Sequence, residues 1–71
     1  MTAREWLAAY AAALGTEPPT DEEFKALLDL AAEAAHSSER VAAPVACWLT
    51  AHAGLAPAEA IEVARRVTPP D

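Results

Sequence analysis

The chain has 71 residues, a formal net charge of −6 and a pI near 4.7, with 11 acidic and 5 basic side chains. A chain of this length has room for one domain with one small core. The negative charge argues against nucleic acid and anionic membrane surfaces as partners, because both require a cationic face. The single cysteine, Cys47, excludes an internal disulfide.

The sequence also predicts where the protein resides. No apolar run approaches the ~20 residues that a membrane span needs. The opening Met1-Thr2-Ala3-Arg4-Glu5 lacks the apolar stretch of a signal peptide. A lone cysteine fits a reducing compartment. We therefore expect a soluble cytoplasmic protein.

Helix 1 is predicted over residues 3–14. Thr2 and Glu5 have the spacing of a capping box at its start, and Gly15 follows as the residue that ends it. One apolar stripe runs along this helix, through Trp6, Leu7, Tyr10 and Leu14. We expect Trp6 to lie in the core, since a tryptophan on such a stripe is more often core than ligand site.

Helix 2 is predicted over residues 21–36, after the helix-breaking pair Pro18-Pro19. Thr20 and Glu23 form a second capping box. The stripe continues at helical spacing through Phe24, Leu27, Leu28, Ala31, Ala34 and Ala35. The acidic cluster at 21–23 resembles a metal site, but neighbouring carboxylates in a first turn splay around the helix axis. We interpret it as negative charge that favours the helix N-terminus.

Two prolines predict the starts of the last two helices. Pro44 belongs in the first turn of helix 3, over residues 43–53, and Pro57 at the start of helix 4, over residues 57–67. We expect Trp48 and Leu49 to fill the core from helix 3. The sequence therefore predicts one all-α domain over residues 1–71, a compact bundle of four short helices.

Enzyme motifs are not evident. The two glycines, Gly15 and Gly54, are explained as helix ends rather than as a phosphate-binding loop. Cys47, His36 and His52 could in principle form a thiol–imidazole set, but Cys47 and His52 are five residues apart and lie on different helix faces. We predict no catalytic residue, no metal site and no cofactor, and a semi-buried Cys47.

The connection between helices 2 and 3 holds the candidate binding residues, which are His36, Ser37, Ser38, Arg40 and Pro44. Free N–H groups at the start of helix 3, from Val45 to Cys47, together with an arginine, would suit an anion. Arg40 could instead pair with Glu33 or Glu39, cap carbonyls of helix 2, or contact a partner protein. We favour a structural role, in which His36 and Arg40 jointly tie the end of helix 2 to the start of helix 3.

The run Ala35-His36-x3-Arg40-x-Ala42-Ala43-Pro44, followed by Trp48 and Leu49, resembles a small actinobacterial helical domain of unknown function. The opening Trp6-Leu7 and the closing Arg65-Arg66-Val67-Thr68 are similar to that family too. Its pattern has glycine after the histidine and proline after the arginine, where this chain has Ser37 and Val41. Domains of that family occur alone or attached to the molybdopterin-guanine dinucleotide biosynthesis nucleotidyltransferase, and near genes for formate dehydrogenase maturation.

The resemblance implies a non-catalytic accessory or interaction module in molybdenum-cofactor guanylation or in the maturation of a molybdoenzyme such as formate dehydrogenase. Its expected partner is then a nucleotidyltransferase or a molybdoenzyme. The alternative is a small anion or nucleotide binder that uses Arg40 and the N-terminus of helix 3. Homodimerisation also stays open, because small bundles often borrow apolar surface from a partner.

Overall fold

The computed structural model describes residues 1–69, and in that range the chain forms four α-helices and no strand. They are α1 (Ala3–Leu14), α2 (Asp21–Ser37), α3 (Ala42–His52) and α4 (Pro57–Val67). The predicted all-α bundle of four short helices is confirmed. α2 ends one residue later than expected, and α3 begins and ends one residue earlier. The last two residues of the predicted domain lie outside the described range.

Both predicted capping boxes are formed. The Thr2 N–H donates to Glu5 Oε1 over 2.8 Å, and the Glu5 N–H donates to Thr2 Oγ1 over 3.1 Å. Thr20 and Glu23 repeat this pair of bonds at the same two distances. Each box satisfies two N–H groups that have no partner within the helix, so the starts of α1 and α2 are determined locally.

Two glycines end helices in the left-handed conformation, Gly15 at φ 79° after α1 and Gly54 at φ 76° after α3. Side chains disfavour this region, so glycine is the residue that adopts it most readily. In both places an N–H beyond the glycine donates back across the last turn, from Thr16 to Ala11 over 2.9 Å and from Leu55 to Thr50 over 3.2 Å. This is the Schellman arrangement, and it turns the chain sharply after each helix.

The packing is centred on α2, which lies against both α3 and α4. Those two interfaces dominate the helix–helix packing of the described chain, whereas α1 is attached near the start of α2. There Arg4 Nη1 lies 2.7 Å from Asp21 Oδ1, and the Arg4 guanidinium lies 4.2 Å from the centre of the Phe24 ring. The molecule measures 40 × 24 × 18 Å along its principal axes.

Burial differs from what the sequence predicts. Within residues 1–69, the buried residues are Ala11, Leu30, Thr50 and Ala60. The expected core positions Trp6, Trp48 and Leu49 are 52%, 62% and 55% exposed, so those predictions are wrong for the single chain. The reason is geometric. α3 and α4 each use one face against α2, and no other described helix packs closely enough to cover the rest of their apolar surface.

Candidate functional site

Charge is distributed unevenly along the chain. No aspartate, glutamate, lysine or arginine occurs in residues 41–58, a segment that contains all of α3. A helix that lacks charge around its whole circumference is normally buried on most sides. α3 is covered on one side only, by α2, so its remaining surface is apolar and open to solvent.

The exposed side of α3 is formed by Val45, Trp48, Leu49 and His52, which we call the α3 face. The rings of Trp48 and His52 are stacked one helical turn apart, with centroids 4.7 Å apart and planes at 12°. This stack orders the indole against the imidazole and leaves the indole exposed. The α3 face is therefore a preformed apolar surface with an aromatic centre.

A groove lined by α2, α3 and α4 lies beside the α3 face. Its volume is ≈ 580 Å³. Its apolar lining includes Leu30, Ala46, Leu49, Val63 and Val67. Leu49 belongs to both the groove and the α3 face, so the apolar surface continues from one to the other.

One end of the groove is polar, and its side chains are hydrogen-bonded to one another. The Thr68 hydroxyl donates to Glu33 Oε2 over 2.7 Å, and the Ser37 hydroxyl lies 3.2 Å from the same oxygen and 3.1 Å from Thr68 Oγ1. These contacts join the end of α2 to the end of α4. Glu33 and Thr68 are 35 residues apart, and no local pattern connects them.

The connection between α2 and α3 is built differently from the predicted tie. Ser37 and Ser38 donate their hydroxyls to the carbonyls of Glu33 and Ala34, the latter over 2.6 Å. Their short side chains reach carbonyls one turn back without leaving the helix surface. His36 is exposed, and its side chain makes no hydrogen bond within residues 1–69. The serines, rather than the histidine, cap the end of α2.

Arg40 is also exposed, and the expected pairing with Glu33 or Glu39 is not formed in the described part of the chain. Glu33 already accepts from Thr68. The carbonyls of Glu39 and Arg40 accept from the N–H groups of Ala42 and Ala43, over 3.0 and 3.1 Å. The N-terminus of α3 therefore begins with two engaged donors. It continues with Pro44, which has none and lies in the first turn as predicted.

Comparison with known proteins assigns the chain to a family. A family model described as a domain of unknown function (DUF6457) matches residues 1–69, nearly the whole sequence. The chain belongs to the DUF6457 family. No curated protein and no solved structure matches it.

The DUF6457 domain has one thiol, and it is half-buried in α3. Burial raises the pKa of Cys47 above its usual range, because the apolar surroundings disfavour the thiolate. Across residues 1–69, no three side chains of histidine, cysteine, aspartate or glutamate converge on a common point that a metal could occupy. Nor is any described helix long and apolar enough to cross a bilayer.

Proposed function

We propose that this DUF6457 domain is a non-catalytic protein-interaction module whose partner binds the α3 face. The observation that carries this proposal is the exposure of Trp48, at 62% of its surface, in the centre of an uncharged helix. Tryptophan is among the residues that contribute most to binding when a partner covers it. An aromatic residue left open on a preformed apolar face is suited to that role.

The rest of the surface supports the same proposal. A folded monomer of 7.4 kDa is expected to expose about 4,200 Å². This chain exposes 5568 Å², so about 1,400 Å² more is in contact with solvent. A standard interface covers about 800 Å² on each partner. The surplus thus exceeds the area that one standard contact covers on this domain.

The sequence resemblance supports a more specific proposal for the partner. We infer that the domain serves molybdenum-cofactor guanylation or molybdoenzyme maturation, and that it binds a nucleotidyltransferase or a formate dehydrogenase. The support is the run from His36 to Pro44, together with the apolar helix that follows it. The partner would present an apolar pocket for the Trp48 indole.

Affinity capture from the native host tests this proposal. The tagged domain and its Leu28→Ala variant are expected to recover the same nucleotidyltransferase or molybdoenzyme, whereas Trp48→Ala recovers neither. Leu28 is a matched control, because it is 58% exposed but lies on α2 outside the α3 face. Capture that is equally strong with Trp48→Ala would contradict the proposal, and so would capture of no partner by the parent domain.

A second candidate function is anion or nucleotide binding by Arg40. It is supported by the guanidinium of Arg40, which is exposed and has no acidic partner within residues 1–69. Titration calorimetry with inorganic phosphate and with a nucleoside monophosphate tests it. Binding that disappears in Arg40→Ala and is retained in Lys25→Ala would favour this candidate over the interaction module.

A further inference from the structure

α1 carries far more apolar surface than the single chain buries. Residues 6–14 contain no charge, and their sequence is Trp-Leu-Ala-Ala-Tyr-Ala-Ala-Ala-Leu. The helix is therefore apolar around its circumference after its first turn. A helix of this kind is normally enclosed. Here only Ala11 is buried and Leu7 half-buried. The exposed side is a ridge formed by Trp6, Tyr10 and Leu14, which we call the α1 ridge.

The α1 ridge is ordered although it is exposed. The rings of Trp6 and Tyr10 stack one turn apart with centroids 5.0 Å apart. Arg4 anchors the start of the helix to Asp21 and Phe24. A preformed apolar ridge has already lost much of the conformational freedom that binding would otherwise remove, and this favours docking into a complementary concave surface.

The same chain offers such a surface in the groove between α2, α3 and α4. The ridge runs from Trp6 to Leu14 and is about 12 Å long, and the part of α4 that lines the groove runs from Ala60 to Val67 and is about 10 Å long. Both are apolar along most of their length, and the groove is polar around Glu33 and at Thr50, whose hydroxyl donates to the Ala46 carbonyl. The ridge and the groove therefore match in length and in apolar character.

The ridge and the groove lie at different places along α2. α1 is attached at residues 21–24, whereas the polar end of the groove lies at residues 33–38. At 1.5 Å per residue these positions are about 20 Å apart. The ridge therefore cannot fill the groove of its own chain. The ridge of a second copy in the opposite orientation can fill it. Two-fold symmetry then closes both contacts at once.

We propose that two copies of this domain form a two-fold dimer, in which α1 of each copy lies in the groove of the other. This inference is separate from the proposed partner, which binds the α3 face. Each chain exposes about 1,400 Å² more surface than a folded monomer of its mass is expected to expose. This area exceeds the roughly 800 Å² that each member of a standard dimer covers. The net charge of −6 does not prevent the pairing, because residues 6–16 carry no charge and Glu33 is the one charged residue among the described residues that line the groove.

Sedimentation velocity on the 71-residue chain tests the dimer. At about 100 µM, a pair with a Kd of about 1 µM is mostly associated. The parent protein is expected to sediment with twice its 7.4 kDa mass. A mass of 7.4 kDa at that concentration would overturn the proposal.

Two variants locate the contact. Trp6→Glu alters the ridge and Val67→Lys alters the groove, and each places a charge in an apolar junction. Each is expected to weaken self-association by about 30-fold or more. Mixing the two variants restores one native ridge–groove junction and pairs opposite charges in the other. The mixture is therefore expected to dimerise more tightly than either variant alone. A dimer in which ridge packs on ridge, or groove on groove, does not predict this gain.

Controls separate this inference from the proposed function and from misfolding. Trp48→Glu alters the α3 face and is expected to lose the captured partner while it still sediments as a dimer. Tyr10→Glu repeats the ridge test if Trp6→Glu loses helicity in circular dichroism. The proposal is overturned if a helical Trp6→Glu or Tyr10→Glu variant remains dimeric, or if Val67→Lys does.

Discussion

The Thr68 hydroxyl donates to the Glu33 carboxylate over 2.7 Å and joins the end of α4 to the last turns of α2. Both residues are partly buried, and Ser37 lies within 3.2 Å of the same carboxylate oxygen. Hydrogen bonds to a charged acceptor contribute more than neutral ones when they are shielded from water. This contact fixes how α4 lies on α2 at the polar end of the groove.

Thr68→Val is expected to lower the free energy of unfolding by about 1–2 kcal/mol, because the isosteric side chain keeps its packing and loses the donor. Urea unfolding measures the difference. Thr16→Val is the matched control, since Thr16 is exposed and its hydroxyl makes no hydrogen bond to the described residues. An equal loss in both variants would show that the Glu33 contact contributes little.

The local elements of the fold were predictable from sequence, since each depends on residues close together in the chain. The capping boxes at Thr2 and Thr20 and the left-handed Gly15 and Gly54 are formed as expected. An apolar stripe, by contrast, indicates that a helix face will be covered and does not indicate by what. Sequence reasoning therefore assigned Trp48 to the core, although the structure leaves it on the surface.

The candidate site was predictable only in part for the same reason. Pro44 lies in the first turn of α3 as expected. The groove depends on the angle between α3 and α4, and its polar end depends on a contact between residues 35 positions apart. The missing signal for the α3 face was the absence of charge from residues 41–58, which is visible in the sequence.

Two alanine substitutions should differ widely in their effect on stability. Leu30 is 2% exposed. Leu30→Ala is expected to lower the free energy of unfolding by about 2–5 kcal/mol, because it removes buried apolar surface and leaves a cavity between α2 and its neighbours. Trp48→Ala should change the free energy of unfolding by no more than about 0.5 kcal/mol. Thermal unfolding of dilute protein, below the concentration at which copies associate, makes the comparison. A large loss in Trp48→Ala there would place the indole in the core after all.

The start of α1 should be sensitive to acid. The backbone N–H of Thr2 donates to the Glu5 carboxylate and lowers the pKa of Glu5, and the Thr2 side chain adds to this effect. The folded state then binds fewer protons than the unfolded state at acidic pH. The resulting stabilisation is present above the ordinary glutamate pKa of about 4.3 and is lost as pH falls through the lowered value.

Urea unfolding of the parent protein and of Glu5→Gln, measured from about pH 3 to pH 6, checks this expectation. The stability difference between them should be constant near pH 6 and shrink as the carboxylate is protonated. Glu17→Gln serves as the control, because Glu17 is exposed and makes no ion pair within residues 1–69. A difference that does not change with pH would argue against the capping carboxylate as the source.

Arg40 and Arg4 provide the last test, since only one of them is held by the fold. The Arg4 guanidinium lies 2.7 Å from Asp21 and 4.2 Å from the centre of the Phe24 ring, so Arg4→Ala should lower the free energy of unfolding by about 1 kcal/mol. Arg40 has no such contact in the described chain, and Arg40→Ala should stay within about 0.5 kcal/mol of the parent. Chemical denaturation of both variants under one condition gives the comparison. A loss in Arg40→Ala as large as that in Arg4→Ala would restore the structural role that the sequence alone favoured.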